Sequence, residues 1–458
     1  MVAHTSDPRV NDLKSEALPA PLGNPGKQPS KKRSWGSMLV LLGIPLGALG
    51  VLGITSSHWH LGPQTANSRL HSFKRRDSQE IPDAAQVINP KDFAVLDYVQ
   101  PGTEFDGFSL FVPPGSTEDS LKEKPFHVYD ESFYDIIGDS PSLTLIADGG
   151  DNPLFHEAVV WHNETDEVFF AQAADMDLGF GLNKSAVVQK ISLSQAQDVQ
   201  EGTRNSTDVT VVNSTTQVVN PNGESMLNLG KIIFTGQGQG SNVTSALYEL
   251  DPNEPYNTTV ILNNYFGRQF SSLNDISVNP RNKELYFSDV TYGWLSGFRP
   301  APIIANQVYR FNVDTGAVQV VADGMNMPNG VTFAPDGQYA YISDTGISAG
   351  NFGTNYTYPA TIYRYDVRDD GSFENRKVFA FTHVGNADGL KTDSNGNVYA
   401  GVGDGIHVFN PSGLLIGKIY LGETSANFAF AGDGKMVIGA ETQLYYATLA
   451  AKTWNPEA

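Results

Sequence analysis

Four side chains, Glu157, Asn274, Asn329 and Asp388, stand at one kind of place in this sequence, at the start of a short run whose apolar residues alternate as in a strand. Glu157 precedes Ala158 to Trp161, Asn274 lies in LNDISV, Asn329 in MPNGVTF and Asp388 in ADGLK. Two carboxylates and two amides, without sulfur or imidazole, make an all-oxygen donor set. Such a set suits a hard cation, Ca2+ first, with Mg2+, Mn2+ or Zn2+ as substitutes. An Asn or Asp before Gly also serves turn geometry alone, so the set carries chemistry only if the fold brings the four together. A carboxylate entering a buried strand, as Glu157 does, calls for a charged partner.

The elements that would do so are repeated hairpins. After Asn329, Val331 and Phe333 alternate with Thr332 and Ala334, Pro335-Asp336-Gly337 turns, and Tyr339 to Ile342 runs back. The same grammar follows Asn274 and Asp388, the latter with an Asn395-Gly396 turn, and returns in ANFAFAGDGKMVIGA, where Asn427 holds the equivalent place. These residues are about 40 to 60 positions apart, the spacing of four-stranded propeller blades. Between them, segments 306–323, 360–380 and 405–419 each read as two further strands around a turn. With Glu157 and a blade around 231–250, the count is about six blades. The innermost strands of a propeller converge on a channel, so the four residues would meet at its mouth. An ordinary β-sandwich leaves the repeat unexplained.

The chain has 458 residues, a net charge of −20 and no cysteine. That charge, without a basic run in the repeats, excludes nucleic acid as partner. Residues 1–34 are polar and aperiodic and read as a disordered tail. Residues 35–54 carry no charge and are long enough to span a bilayer, as a signal anchor or the core of a cleaved signal peptide. Lys31, Lys32 and Arg33 flank them, which places the rest outside the cytosol, membrane-anchored or secreted after cleavage near Lys74-Arg75-Arg76. A linker, 55–85, leads to the propeller, 86–450. Sequons at Asn163, Asn205 and Asn213 suit glycans on that route. A strand at Phe93 to Leu96 is expected to pair with the last blade and close the ring, and Gln195 to Asn222 to form an outer hairpin or an insertion without chemistry of its own.

The strings HEAVVW, SLNDISVNPRNKELYFSD, PNGVTFAPDGQYAYISDTG and ADGLKTDSNGNVYAG resemble the gluconolactonase, senescence-marker-protein and luciferin-regenerating-enzyme-like family. Within it, FHVYDESFYDIIG, NNYFGRQFSSLND, NQVYRFNVDTGAV and GDGIHVFNPSGLLIGKIY are similar to the secreted fungal lactonohydrolases that open aldonolactones and pantoyl lactone. The resemblance runs from about Gln86 to Leu449. It implies an all-β, six-bladed β-propeller holding one catalytic divalent cation through Glu157, Asn274, Asn329 and Asp388. Animal members carry an Arg two positions before the LND-type Asn, where this chain has Ser272, which puts a preference for sugar lactones in question.

The chemistry expected of such a site is hydrolysis of a small lactone. The cation would polarise the carbonyl while Asp388 accepts a proton from water and passes it to the ring oxygen. His156 would orient substrate, serve as the base, or be a buried histidine bonded to backbone. Trp294 and Asn427 are candidates for substrate contact. An arylesterase of the paraoxonase type and a non-catalytic binding propeller are the alternatives. Oligomeric state is not legible in these residues.

Overall fold

The computed structural model describes residues 80–101, 110–174, 186–227 and 230–454. Two short strands, β1 (Ala85–Val87) and β2 (Phe126–Val128), precede β3 (Ser142–Asp148). Blade 1 follows as β4 (Glu157–His162), β5 (Glu167–Ala171), β6 (Val188–Ser192) and β7 (Thr210–Val211), and blade 2 as β8 (Pro221–Leu227), β9 (Lys231–Gly236), β10 (Ala246–Leu250) and β11 (Thr258–Leu262). Blade 3 is β12 (Leu273–Val278), β13 (Leu285–Asp289), β14 (Gln307–Phe311) and β15 (Val318–Ala322). Blade 4 is β16 (Pro328–Phe333), β17 (Tyr339–Asp344), β18 (Thr361–Val367) and β19 (Phe373–Phe381). Blade 5 is β20 (Leu390–Thr392), β21 (Val398–Val402), β22 (Gly405–Phe409) and β23 (Leu415–Tyr420). Blade 6 has β24 (Phe428–Phe430), β25 (Lys435–Ala440) and β26 (Gln443–Thr448). Among the described residues these make six sheets, antiparallel but for the β1–β2 pair, the six-bladed propeller the repeats foretell.

Closure differs from the sequence expectation. The fourth strand of blade 6 is β3, which pairs with β26 from Ser142↔Thr448 to Asp148↔Gln443. Residues 93–96 form no strand, and β1 and β2 instead extend blade 5 beyond β23. Ring closure by one strand from the other end of the chain leaves no open sheet edge between first and last blades. Residues 195–222 begin as an insertion between β6 and β7 and form no simple outer hairpin. They hold most of the helix Leu193–Gln200, then β7, and end on the first two residues of β8, the inner strand of blade 2. The apolar segment 35–54 lies outside the described residues, among which no helix is long and apolar enough to cross a membrane.

The core is divided among the blade interfaces. Phe270, Phe287 and Tyr309 pack between blades 2 and 3, Tyr286 and Phe333 between blades 3 and 4, and Phe170, Val437 and Tyr446 between blades 6 and 1. Each sheet is thus packed on both faces, and the inner strands bury polar side chains as well as apolar ones, among them Glu224, Asp275 and Thr332.

A repeated hydroxyl device carries the positions of blades 2, 3 and 4 each to the next blade. Ser288 of β13 donates to the Asn329 carbonyl at 2.8 Å, Ser343 of β17 to the Asp388 carbonyl at 3.0 Å, and Thr235 of β9 to the Asn274 carbonyl. The aspartates after those serines hold the approach to their own inner strand. Asp289 accepts the Ser271 and Ser272 N–H groups at 3.0 and 2.8 Å, and Asp344 those of Asn326 and Met327 at 2.9 and 2.8 Å. Buried backbone groups that a bulge frees from the ladder are satisfied in this way.

Close approach explains the glycine after Asn329. A Cβ on Gly330 would lie inside contact distance of the Asp388 carbonyl oxygen, against rigid backbone. Gly330→Ala is therefore expected to push blades 4 and 5 apart at the mouth and to lower stability by about 1–3 kcal/mol in urea unfolding. An unchanged midpoint would show that this contact is not tight.

Candidate functional site

The site is built from backbone irregularities at the entrance of each inner strand. Pairing slips between Leu273 and Ile276 in β12 and between Pro328 and Val331 in β16, freeing Asn274 and Asn329 from the ladder. A bulge of this kind turns a side chain out of the pleat, here toward the channel. In β4 the slip falls between Glu157 and Val160, and Ala158, fully buried, takes a left-handed φ of 56°. That conformation is costly for alanine, and such strain concentrates at functional sites. Asp388 precedes β20, with its N–H on the Gly401 carbonyl at 2.9 Å. The four residues therefore stand at the channel ends of β4, β12, β16 and β20, as the repeat predicts.

Three of their oxygens lack partners. Glu157, Asn274 and Asn329 are buried, and Asn274 Oδ1, Asn329 Oδ1 and Asp388 Oδ1 accept no hydrogen bond. An unsatisfied buried acceptor costs about 1–3 kcal/mol, so three at one channel mouth call for a common partner. Burial, and then Asp388, push the Glu157 carboxyl well above the usual range. Burial likewise raises Asp388 to about 7, against the lowering effect of His156. Deeper in the channel, Asp275 and Glu224 are buried carboxylates raised chiefly by desolvation, Glu224 to about 8. One ammonium, Lys391, answers them, donating to Glu224 at 2.8 Å. A surplus of carboxylates over cations, with orphaned amide oxygens beside it, is the donor chemistry that fits a divalent hard cation.

The remaining candidates surround this set. Asn427, at the entrance of β24, donates to Glu157 at 3.0 Å, and its own oxygen accepts the Phe428 N–H at 2.7 Å. Its place in the structure is as a support for Glu157. His156 bonds no backbone carbonyl through its ring. Its Nδ1 meets Glu441 at 2.9 Å, and its Nε2 lies 3.9 Å from Glu157. Burial disfavours its charge, but Glu441 outweighs burial, and Glu157 and Asp388 add to it, raising His156 to about 10. Glu441 thus favours the protonated ring. Trp294 is 37% exposed and packs on Phe352 at 5.7 Å, while Tyr292, two residues earlier, is partly buried within electrostatic reach of Asp388. Ser272 is fully buried, with its hydroxyl taken by the Gly293 N–H at 3.2 Å, so that position offers a substrate no cation. Asn163, Asn205 and Asn213 are all exposed.

Sequence reasoning missed Glu441 and Asn222. Glu441 could not be found, since only the folded ring brings it to His156. Asn222 could, for Pro221-Asn222-Gly223 duplicates Pro328-Asn329-Gly330.

Two other features fall outside this set. A cavity of about 250 Å3 occupies the far half of the channel, lined by Val160, Ser225, Ile276, Thr332, Thr392 and Phe430, one from each inner strand. It contains none of the four mouth residues and lies beyond the Lys391–Glu224 pair, which is on its wall. In blade 5, His383, Asp404 and His407 bring ligand atoms within 4.8 Å of one another. Lys418 already fills that place, its ammonium 2.7 Å from Asp404 and 2.8 Å from His383. An internal ammonium there leaves no room or charge for an ion.

Residues 155–442 match the family model described as SMP-30/Gluconolactonase/LRE-like region. Lactonohydrolase oryL of Aspergillus oryzae is 32% identical over 212 residues, 42% of this chain and 47% of that protein, so the match spans about half the relative's length. Lactonohydrolase oryH of the same fungus is 25% identical over 371 residues, 65% of this chain and 74% of that protein. A gluconolactonase structure from Xanthomonas campestris superposes with a TM-score of 0.56 at 22% identity, covering 71% of this chain and 95% of that one, a likeness of fold alone.

The raised Asp388 gives a pH signature. Its folded pKa of about 7 exceeds the unfolded value of about 4, so its contribution to stability is full below about pH 4 and is lost as pH rises through about 7. A cation binds only the ionised carboxylates. The chelated protein is expected to lose melting temperature between about pH 5 and about pH 8, and Ca2+ to raise it more at the higher pH. Equal calcium shifts at both, read by calorimetry, would contradict this.

Proposed function

The chain belongs to the SMP-30/gluconolactonase/LRE-like family, and on that premise we propose that it hydrolyses the ester bond of small lactones with the aid of a divalent cation. The observation that carries the reading is the set of unpartnered oxygens of Asn274, Asn329 and Asp388 at one channel mouth with the buried Glu157. The lactonohydrolase and gluconolactonase relatives support the substrate class. The all-oxygen set favours Ca2+, with Mg2+, Mn2+ or Zn2+ as substitutes.

Glu157, Asn274, Asn329 and Asp388 would hold the ion. When bound, it supplies the positive charge that polarises a lactone carbonyl and offsets the charge developing on its oxygen. The Asp388 carboxylate takes the proton of the attacking water and returns it to the ring oxygen as the acyl–oxygen bond breaks. The Ser343 hydroxyl on the Asp388 carbonyl and the Asn427 amide on Glu157 keep both carboxylates in place. His156, held protonated by Glu441, donates hydrogen bonds at the rim. Trp294 and Phe352 offer an exposed aromatic face on the loops beside Tyr292. The secretory route inferred from residues 35–54 accords with the exposure of Asn163, Asn205 and Asn213.

The test is hydrolysis of gluconolactone, galactonolactone and pantoyl lactone by the purified chain with Ca2+ and with chelator. At least one lactone is expected to open, dependent on the ion, and Asp388→Asn to lower kcat by about 100-fold or more. Activity indifferent to both chelator and Asp388→Asn would refute the reading.

A further inference from the structure

Two Pro-Asn-Gly tripeptides sit at the mouth, and they are structural copies. In β16 the ladder slips between Pro328 and Val331, freeing Asn329 and Gly330, and in β8 it slips between Pro221 and Glu224, freeing Asn222 and Gly223. Both glycines serve the same contact with the following blade. A Cβ on Gly330 would strike the Asp388 carbonyl oxygen, and one on Gly223 would strike the Asn274 carbonyl oxygen and the Asp275 backbone. Asn222 is therefore set against Asn274 as Asn329 is set against Asp388. The holding hydroxyl repeats as well, Thr235 for the first pair and Ser343 for the second.

Among the described residues the side-chain oxygen of Asn222 has no partner. The residue is 6% exposed and its Oδ1, buried, accepts no hydrogen bond. An asparagine serving only turn geometry bonds nearby backbone through that oxygen. Asn427 shows the contrast at the sixth mouth position, with its oxygen on the Phe428 N–H and its amide on Glu157. Asn222 thus shares with Asn274 and Asn329 the bulge position, the burial and the orphaned amide oxygen. It belongs to blade 2, between the blades of Glu157 and Asn274.

We propose that Asn222 is a fifth protein donor to the cation, turning its amide oxygen to the ion held by Glu157, Asn274, Asn329 and Asp388. The inference rests on the reading of the mouth as a divalent-cation site. Calcium takes six to eight oxygens, more than four side chains provide unless waters complete the shell. A fifth amide adds an oxygen without adding charge to a channel that already holds an excess of carboxylates.

The experiment is calorimetric titration of Ca2+ into the substrate-free full chain, its Asn222→Leu and Asn222→Asp variants, and Asp388→Asn. Asn222→Leu keeps the volume and removes the amide, whose oxygen bonds nothing among the described residues, so the chelated variant should melt as the parent does. Its Ca2+ affinity is expected to fall about ten-fold or more. Asn222→Asp retains an oxygen donor, and it is expected to bind at least as tightly as the parent, which keeps the test decisive if the leucine variant folds poorly. Parental affinity in Asn222→Leu, or a loss in Asn222→Asp equal to that of Asp388→Asn, would overturn the assignment while the cation site stands. A parent chain that binds no Ca2+ would overturn the assignment and the cation reading together.

Discussion

Two carboxylates taken out of water at one end of a narrow channel repel each other and lose hydration at once, and the arrangement of the mouth follows from that. Glu157 and Asp388 are each raised in pKa first by burial and then, for Glu157, by the other. A chain that needed only a closed ring would carry apolar or self-satisfied polar side chains there, as most of its inner strands do. This one keeps the carboxylates and adds amide oxygens with no protein partner. Buried charge persists where something of opposite sign is there to meet it. Lys391 meets Glu224 deeper in the channel, and Lys418 meets Asp404 in blade 5, so the fold places an ammonium where it wants a fixed counter-charge. At the mouth the described residues offer no ammonium, only the His156 ring that Glu441 already engages, and the opening suits an ion that arrives from solvent.

Holding such a set together takes backbone, since side chains that repel cannot position one another. The propeller provides it through the hydroxyls of Thr235, Ser288 and Ser343, each fastened to the carbonyl of the next blade's mouth residue, and the aspartates after the two serines, each fastened to its own loop. The mouth residues are thereby set by neighbouring blades as much as by their own. Ring closure through β3 then makes the positions mutually dependent, because no blade is terminal.

Much of this was written locally. Turn signals such as Pro335-Asp336-Gly337 and Asn395-Gly396, with period-two strands around them, reveal the hairpins, and the hairpins reveal the mouth residues, because each lies within a few positions of its own turn. What depended on distant pairing was not legible. β3 joins β26 across most of the chain, and a strand had been expected at Phe93 to Leu96 instead. Asn427 and Glu157, which bond across 270 positions, gave no sign of their pairing, and neither did His156 and Glu441. β8 was hidden for a different reason. Its polar approach and its Glu224 mask the apolar alternation, and only the copy of the Pro-Asn-Gly tripeptide betrays it.

The measurement closest to the central claim is a crystal structure of the chain grown with Ca2+, with the ion located by its anomalous signal. The account predicts one ion at the mouth, about 2.3–2.6 Å from oxygens of Glu157, Asn274, Asn329 and Asp388. An ion lodged instead among His383, Asp404 and His407 with Lys418 displaced, or a mouth that stays free of metal at saturating Ca2+, would contradict it.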